Sequence, residues 1–333
     1  MNVSQTLFHG HCAVARRGFV ALLATAGLAA ATLPVAAQQR TLTMIVSTSP
    51  GSGLDVVARE IGQQMLASSG TLAVVENRPG ASGNIAAAQV ARAKPDGSTL
   101  LVAATSLAAN AAINASLPYD PAKDFAPVAL FATGAMCLIV PTSLPIKTVQ
   151  DLIDAARARP GELNYASPGN GTLQHLTMEL FKQEAGIDML HVPFKGIGGA
   201  LNDTAGAHVA GMISSVSTVM PLVNAHKLRI LAVTSAERLA VLPDVPTFKE
   251  LGFPKVQADT WYGLFAPAGT PPDAIARINK DVNVALKTKA VAENLENQGV
   301  QPAGGPPSVM ADKLRAELDR WPPVVKAANI TIN

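Results

Sequence analysis

Two short stretches of the chain carry the residue types and spacing of an anion-binding device. The first is Ser49-Pro50-Gly51-Ser52-Gly53 and the second is Ser167-Pro168-Gly169-Asn170-Gly171-Thr172. Each follows an apolar run of strand character, TLTMIV or LNYAS, and each leads into a segment with helical periodicity. A strand that turns through glycine into a helix brings unpaired backbone N–H groups and the positive end of the helix dipole to one point. Glycine also lets a ligand approach the backbone closely. In open α/β sheets such turns collect ligands at the carboxyl ends of the strands. Neither loop contains a Lys, Arg or His, so the chemistry on offer is capture of an anion by amides and hydroxyls rather than by a counter-ion. A single loop of this kind reads equally well as a tight turn. The matched pair in separate halves of the chain argues for a site.

Other chemistries require residues that these loops lack. A phosphate-binding Walker loop needs a lysine after its last glycine, and neither loop has one. A dinucleotide fingerprint needs a third glycine where Val56 and Gln174 stand. The nucleophile elbow G-x-S-x-G does not occur. His175, His191, His208 and His226 show no metal-ligand spacing among themselves or with nearby acids. No metal, cofactor or catalytic residue is therefore expected. The leading alternative from another class is an exported serine-type hydrolase of small esters or amides, since serine roles can be drawn from a chain this rich in serine. A pure assembly or signalling partner is a third reading, and it predicts a closed or empty cleft.

The elements that must position the two loops alternate between strand and helix. TLTMIV, LAVVEN and STLLVAA read as strands, as do MCLIVP, LNYAS, MLHVPF, GMISS and RILAVT. Between them lie a helix with Leu54, Val57, Ala58, Ile61 and Met65 on one face, an Ala-rich helix after Gly83, and one opened by Thr148-Val149-Gln150-Asp151 as a capping box. Repeated βα alternation implies right-handed parallel units and an α/β protein with open twisted sheets. The composition agrees: 48% hydrophobic, 15% charged and only 4% aromatic residues suit buried strands covered by small-residue helices.

The N-terminus sets the compartment. Arg16 and Arg17 precede the apolar run GFVALLATAGLAAATLPVAA, which ends in Val35-Ala36-Ala37. This pattern is a cleaved export signal over residues 1–37, by the Sec or Tat route. Loss of the two arginines takes the formal net charge from +2 to zero, which leaves no electrostatic footprint for nucleic acid or an anionic membrane surface. Cys12 lies within the signal, so Cys137 is the only cysteine after it, and no internal disulfide or cysteine metal cluster is expected.

The strings PGSGLDVVAR, VVENRPGASGNIAAAQVARAKPDGSTLL, LPYDPAKDFAPVAL, LNYASPGNGTLQHL, HVPFKG, LRILAVTSAERLAVLPDVPT and WYGLFAPAGTP resemble the substrate-binding proteins of tripartite tricarboxylate transporters, the Bug or TctC-type family. The resemblance runs from about Arg40 to the C-terminus. It implies a periplasmic, non-catalytic receptor of two α/β lobes with a periplasmic-binding-protein-like fold and a central ligand cleft. It also implies a small carboxylate ligand, integral membrane subunits as partners, and a monomer. Carried onto this chain, lobe 1 is residues 38–134 plus 262–333 and lobe 2 is residues 135–261, with Trp261 at or beside the hinge. The ligand-binding residues implied are Ser49, Gly51, Ser52 and Gly53 in the first loop and Ser167, Asn170, Gly171, Thr172 and His175 in the second. Asp55 is expected to cap or orient its helix. Ser106 and Asn110 are candidate donors at the cleft rim.

Departures from the family pattern bear on the ligand. The family commonly reads Pro-Phe-Pro-Pro-Gly-Gly before the first helix, where this chain has Ser47-Thr48-Ser49-Pro50-Gly51-Ser52. Ala210 and Ser214 stand where relatives often place carboxylates. A wall with fewer acids disfavours the ammonium group of an amino acid, because an unpaired buried charge is costly. Ser214 and its neighbours could instead donate to an acceptor, so a dicarboxylate or an aromatic acid is the favoured ligand class.

Overall fold

The computed structural model of the protein describes residues 40–114 and 116–330. The export signal expected over residues 1–37 lies outside them. The chain begins with β1 (Thr41–Val46), α1 (Gly53–Ser69), β2 (Leu72–Asn77), α2 (Asn84–Ala91), β3 (Thr99–Ala104), α3 (Ser106–Ile113) and a long β4 (Phe125–Pro141). It continues through α4 (Val149–Ala158), β5 (Asn164–Ser167), α5 (Leu173–Ala185), β6 (Leu190–Pro193), α6 (Ile197–Ala205), β7 (Gly211–Ser215), α7 (Val216–Asn224) and β8 (Leu228–Val233). The last elements are β9 (Asp259–Pro267), α8 (Pro272–Leu286), α9 (Lys289–Asn297), β10 (Gln301–Pro302) and α10 (Pro307–Ala327).

Local chemistry explains where the helices start and stop. Thr148 and Asp151 form a reciprocal capping box at α4: Asp151 N donates to Thr148 Oγ1 at 3.1 Å, and Thr148 N donates back to the Asp151 carboxylate at 2.9 Å. Helix α1 buries Leu54, Val57, Ala58, Ile61 and Met65 on one face and ends at Gly70, whose φ of 72° closes a left-handed cap. Each is an amphipathic helix laid on a sheet.

The described strands form one ten-stranded sheet in the order β2-β1-β3-β9-β4-β7-β5-β6, with β10 and β8 also pairing to β4. Pairing is parallel within β2-β1-β3 and within β7-β5-β6. These are the βα units that the sequence pattern implies. Strands β4, β8 and β9 add antiparallel pairs to these parallel groups. The reason is that β4 carries the chain from the first half of the sheet to the second, and β9 brings it back in the opposite direction. Residues of β4 up to Ala135 pair with β9, and from Met136 onward they pair with β7. Strand β4 is buried along most of its length, so it lacks an alternating pattern that would have revealed a single strand.

Apolar layers cover both faces of each half. Ile61, Met65, Val102 and Leu264 belong to one first-half core, and Ile45, Leu101, Trp261 and Leu314 to the other. In the second half, Leu138, Leu152, Tyr165 and Phe181 pack on one face, and Ile139, Met212, Val219 and Val233 on the other. Helix α10 contributes to both halves: Leu314 packs in a first-half core, whereas Trp321 and Val324 pack with Leu152 and Phe181. No described helix is long and apolar enough to cross a membrane.

Candidate functional site

The two glycine-rich loops have matched backbone geometry. In the first, Gly51 has φ of +77° and donates its N–H to Asp55 Oδ2 at 2.8 Å, while Asp55 N donates to Ser52 Oγ at 3.4 Å. In the second, Gly171 has φ of +71° and donates its N–H to His175 Nδ1 at 3.1 Å, while His175 N donates to Thr172 Oγ1 at 3.4 Å. Ser52 and Thr172 are thus equivalent N-caps of α1 and α5, and Asp55 and His175 occupy equivalent places one turn in. Glycine is needed before each cap because a left-handed φ penalises a Cβ.

The occupants behind the loops differ in charge. Burial alone would raise the Asp55 carboxyl, but hydrogen bonds from Arg59, Gly51 N and Asn77, with the Arg59 charge, hold it below the usual carboxylate range. An ionised carboxylate therefore already sits on the positive end of α1. Burial, with the Lys182 charge, pushes His175 down to about 4, and burial with the neighbouring imidazole and Lys182 pushes His191 down to about 4. The two rings stack 3.8 Å apart, and His191 Nε2 lies 2.6 Å from Ser167 Oγ. Ser167 Oγ in turn donates to Gly169 O at 3.1 Å. The second loop is thereby held from behind by two neutral imidazoles. Tyr165, Glu179 and Lys182 flank this pair, with the Tyr165 hydroxyl donating to Glu179 and Lys182 paired to the same carboxylate at 2.7 Å.

A cleft of about 510 Å³ lies where the strand ends of both halves meet, a size that suits a small ligand. Three helix starts contribute to its walls: Thr105, Ser106 and Asn110 at α3, Thr172, Leu173 and Gln174 at α5, and Ser215, Ser217 and Thr218 at α7. First-turn N–H groups have no partner within their own helix, so each start presents donors and the positive end of a dipole. Ser82, Asn170, Gly171, Thr260, Tyr262, Gln298 and Gly299 add further polar groups and backbone, and Ala104, Ala109, Met136 and Val300 supply apolar surface. Among the described residues, no Lys, Arg, His, Asp or Glu belongs to the lining. Burial raises the Tyr262 hydroxyl, which keeps it a neutral donor.

Ser106, Asn110, Asn170, Gly171 and Thr172 are the sequence-predicted site residues that line this cleft. Ser49, Gly51, Ser52 and Gly53 are not part of its lining; the first loop lies behind Tyr262 and Gln298, whose side chains crowd Gly53. Ser167 is fully buried and bound to His191. His175 faces a second cavity of about 510 Å³ on the far side of the loop, which it shares with Asn170, Glu179, Lys182 and His191. Ser214 is fully buried in β7 with an unpartnered hydroxyl, and the cleft is reached instead by Ser215 at the strand end. Alternation of side chains along a strand accounts for the one-residue difference. Both Asn110 side-chain N–H bonds are already used, on Ser82 O at 3.0 Å and Asn84 Oδ1 at 2.8 Å. Asn110 therefore pins the Ala81–Ser82 turn, whose φ values of 46° and 56° are strained for residues with a Cβ.

Several lining residues carried no signal as single positions. Ser82 and Tyr262 lie inside strings that mark the family resemblance, but Thr260, Gln298 and Gly299 come from a crossover strand and a turn remote in sequence from both loops. Thr105, Ser215 and Ser217 share the logic of the two loops, each following a parallel strand into a helix without glycine to advertise it.

The sequence pattern of the tripartite tricarboxylate transporter family receptor matches residues 57–330 of this chain. The chain belongs to that receptor family. The receptor is 38% identical over 295 residues to the UPF0065 protein in the tcbD-tcbE intergenic region of Pseudomonas sp. (strain P51), covering 88% of each chain. Among solved structures it is similar to an R. palustris protein with adipate, at 36% identity and a TM-score of 0.71, over 89% of this chain and 99% of that one. It is also similar to MatC from Rhodopseudomonas palustris with bound malate, at 34% identity and a TM-score of 0.67, over 88% of this chain and 100% of that one. The receptor is thus a periplasmic solute-binding protein and not an enzyme. Nothing in these relatives supports a serine hydrolase, and among the described residues the cleft lining holds no histidine or acid to activate a serine.

Proposed function

We propose that the receptor captures a small carboxylate in the cleft of about 510 Å³ and delivers it to the integral membrane subunits of a tripartite tricarboxylate transporter. The observation that carries this reading is the convergence of the α3, α5 and α7 starts on a cleft with no charged side chain. Amides and hydroxyls stabilise an anion there without a counter-ion. Weak, dispersed contacts also favour release, since a desolvated ion pair slows dissociation. Relatives solved with adipate and malate support a dicarboxylate in particular. The lack of any acid in the lining disfavours the ammonium of an amino acid, which needs an anionic or carbonyl partner when buried.

In this reading residues 38–134 with 262–333 form one lobe and residues 135–261 the other. They close about β4 and β9, where β4 changes partner between Ala135 and Met136. The protein acts as a monomer, exported by a signal over residues 1–37. Contact of the ligand with Ser106, Asn170, Gly171 and Thr172 is part of this proposal. A thermal-shift panel tests it, because a ligand that binds only the folded state raises the melting temperature. Dicarboxylates should stabilise and amino acids should not. Turnover of simple esters without saturable dicarboxylate binding would favour the hydrolase instead.

A further inference from the structure

We propose that Gln298 sets the length of ligand that the cleft accepts, because its carboxamide closes one end of the cleft against the backbone of Gly53. This rests on the carboxylate reading above and adds a specificity-determining residue to it. Gln298 caps the C-terminal end of α9 and lines the cleft. Its backbone carbonyl accepts a hydrogen bond from Ser217 Oγ at 3.3 Å, so its main chain is held against the start of α7. Gly299 beside it has φ of +71°, and a Cβ there would stand 1.8 Å from Ser217 Cβ. Only glycine permits that approach of the two halves.

The Gln298 side chain reaches toward the first loop. Its Oε1 lies 2.2 Å, and its Cδ 3.1 Å, from the point a Cβ on Gly53 would occupy, and the Tyr262 hydroxyl lies 3.2 Å from the same point. Glycine at position 53 is thus what lets the carboxamide sit there. Bonds do little to keep it in place. Oε1 is buried and accepts no hydrogen bond, and Nε2 makes one long bond of 3.3 Å to Asn294 Oδ1 on the preceding turn. A buried carbonyl oxygen without a donor is disfavoured, so the side chain acts as a steric stop. A second carboxylate long enough to reach this end meets the carboxamide as an obstruction. Removing the side chain beyond Cβ extends the cleft to the α1 backbone.

The test is calorimetric titration of the purified protein with malonate, succinate, glutarate, adipate and suberate. In Gln298→Ala the preferred acid should become longer, with the affinity ratio of longer to shorter acid rising by about tenfold or more. Gln298→Asn should move the profile in the same direction by less. Gly53→Ala should move it toward shorter acids, because the new methyl displaces the carboxamide into the cleft. Melting curves establish that each variant is folded. Folded variants that keep the wild-type length preference would overturn the proposal while leaving the carboxylate reading intact. Wild-type protein that binds none of the five acids would overturn that reading instead.

Discussion

The hydroxyls of the cleft divide into those already engaged and those free for a ligand. Thr172 Oγ1 donates to Gly169 O at 2.8 Å, and Ser215 Oγ lies 2.6 Å from Thr218 Oγ1. Ser106 Oγ has no hydrogen-bond partner among the described residues and sits at the start of α3. A neutral hydrogen bond contributes about 0.5–1.5 kcal/mol net. Ser106→Ala should therefore weaken carboxylate binding by roughly threefold to tenfold and leave the melting temperature close to wild type. Unchanged affinity in a titration would remove Ser106 from the site. Gly171 is a more demanding position: its φ is +71°, and a Cβ would stand 2.7 Å from Ile113 Cδ1 on α3. Gly171→Val should wedge the second loop away from α3 and lower affinity more than about tenfold. Retention of wild-type affinity would show that this approach is not needed for binding.

Each glycine-rich loop depends on the element behind it. Loop two is anchored by α5 and β6 through His175 and His191, both neutral because burial holds them at about 4 against an ordinary 6.5. The unfolded chain takes up protons between those values and the folded protein does not. Stability from this pair is complete above pH 6.5 and is lost as pH falls toward 4. The loss should be on the order of a few kcal/mol for the two rings together. His175→Asn, whose side-chain oxygen can still accept from Gly171 N, should flatten the acid limb of a melting-temperature curve. An acid limb identical to wild type would contradict the role given to the ring. The sequence showed the glycines and caps of both loops because a left-handed φ and an N-cap select residue types locally. It also carried the reading of Asp55 as the residue that caps or orients α1, which is the place the carboxylate takes, but it did not show that His175 turns away from the cleft. The orientation of His175 depends on Tyr165 and His191, which come from other elements, while Asp55 is held by Arg59 on its own helix and by Asn77 from β2. Strand β4 was read only in part for the same reason, since its antiparallel partners set its length.

The proposed closure would act through the segments that link the two halves, β4, β9 and α10. Helix α10 anchors Leu314 in a first-half core and Trp321 in a second-half one, and Lys313 bridges to Asp259 at the start of β9 at 3.1 Å. Ligand should draw the halves together and reduce the radius of gyration in solution scattering. Superimposable curves with and without saturating ligand would contradict closure. Trp261 stands beside the crossover, at Thr133 of β4. Trp261 and Trp321 are both fully buried, and neither lines the cleft. Tryptophan emission should shift little even when scattering changes.

The proposed ligand, a dianion, would sit in a cleft without charged side chains among the described residues, at the starts of α3, α5 and α7. Isothermal titration of the purified protein with dicarboxylates and with zwitterionic amino acids reads this placement most directly. A dicarboxylate should bind saturably at a single site, and an amino acid should give no measurable heat. Saturable binding of an amino acid, with none of any dicarboxylate, would contradict it.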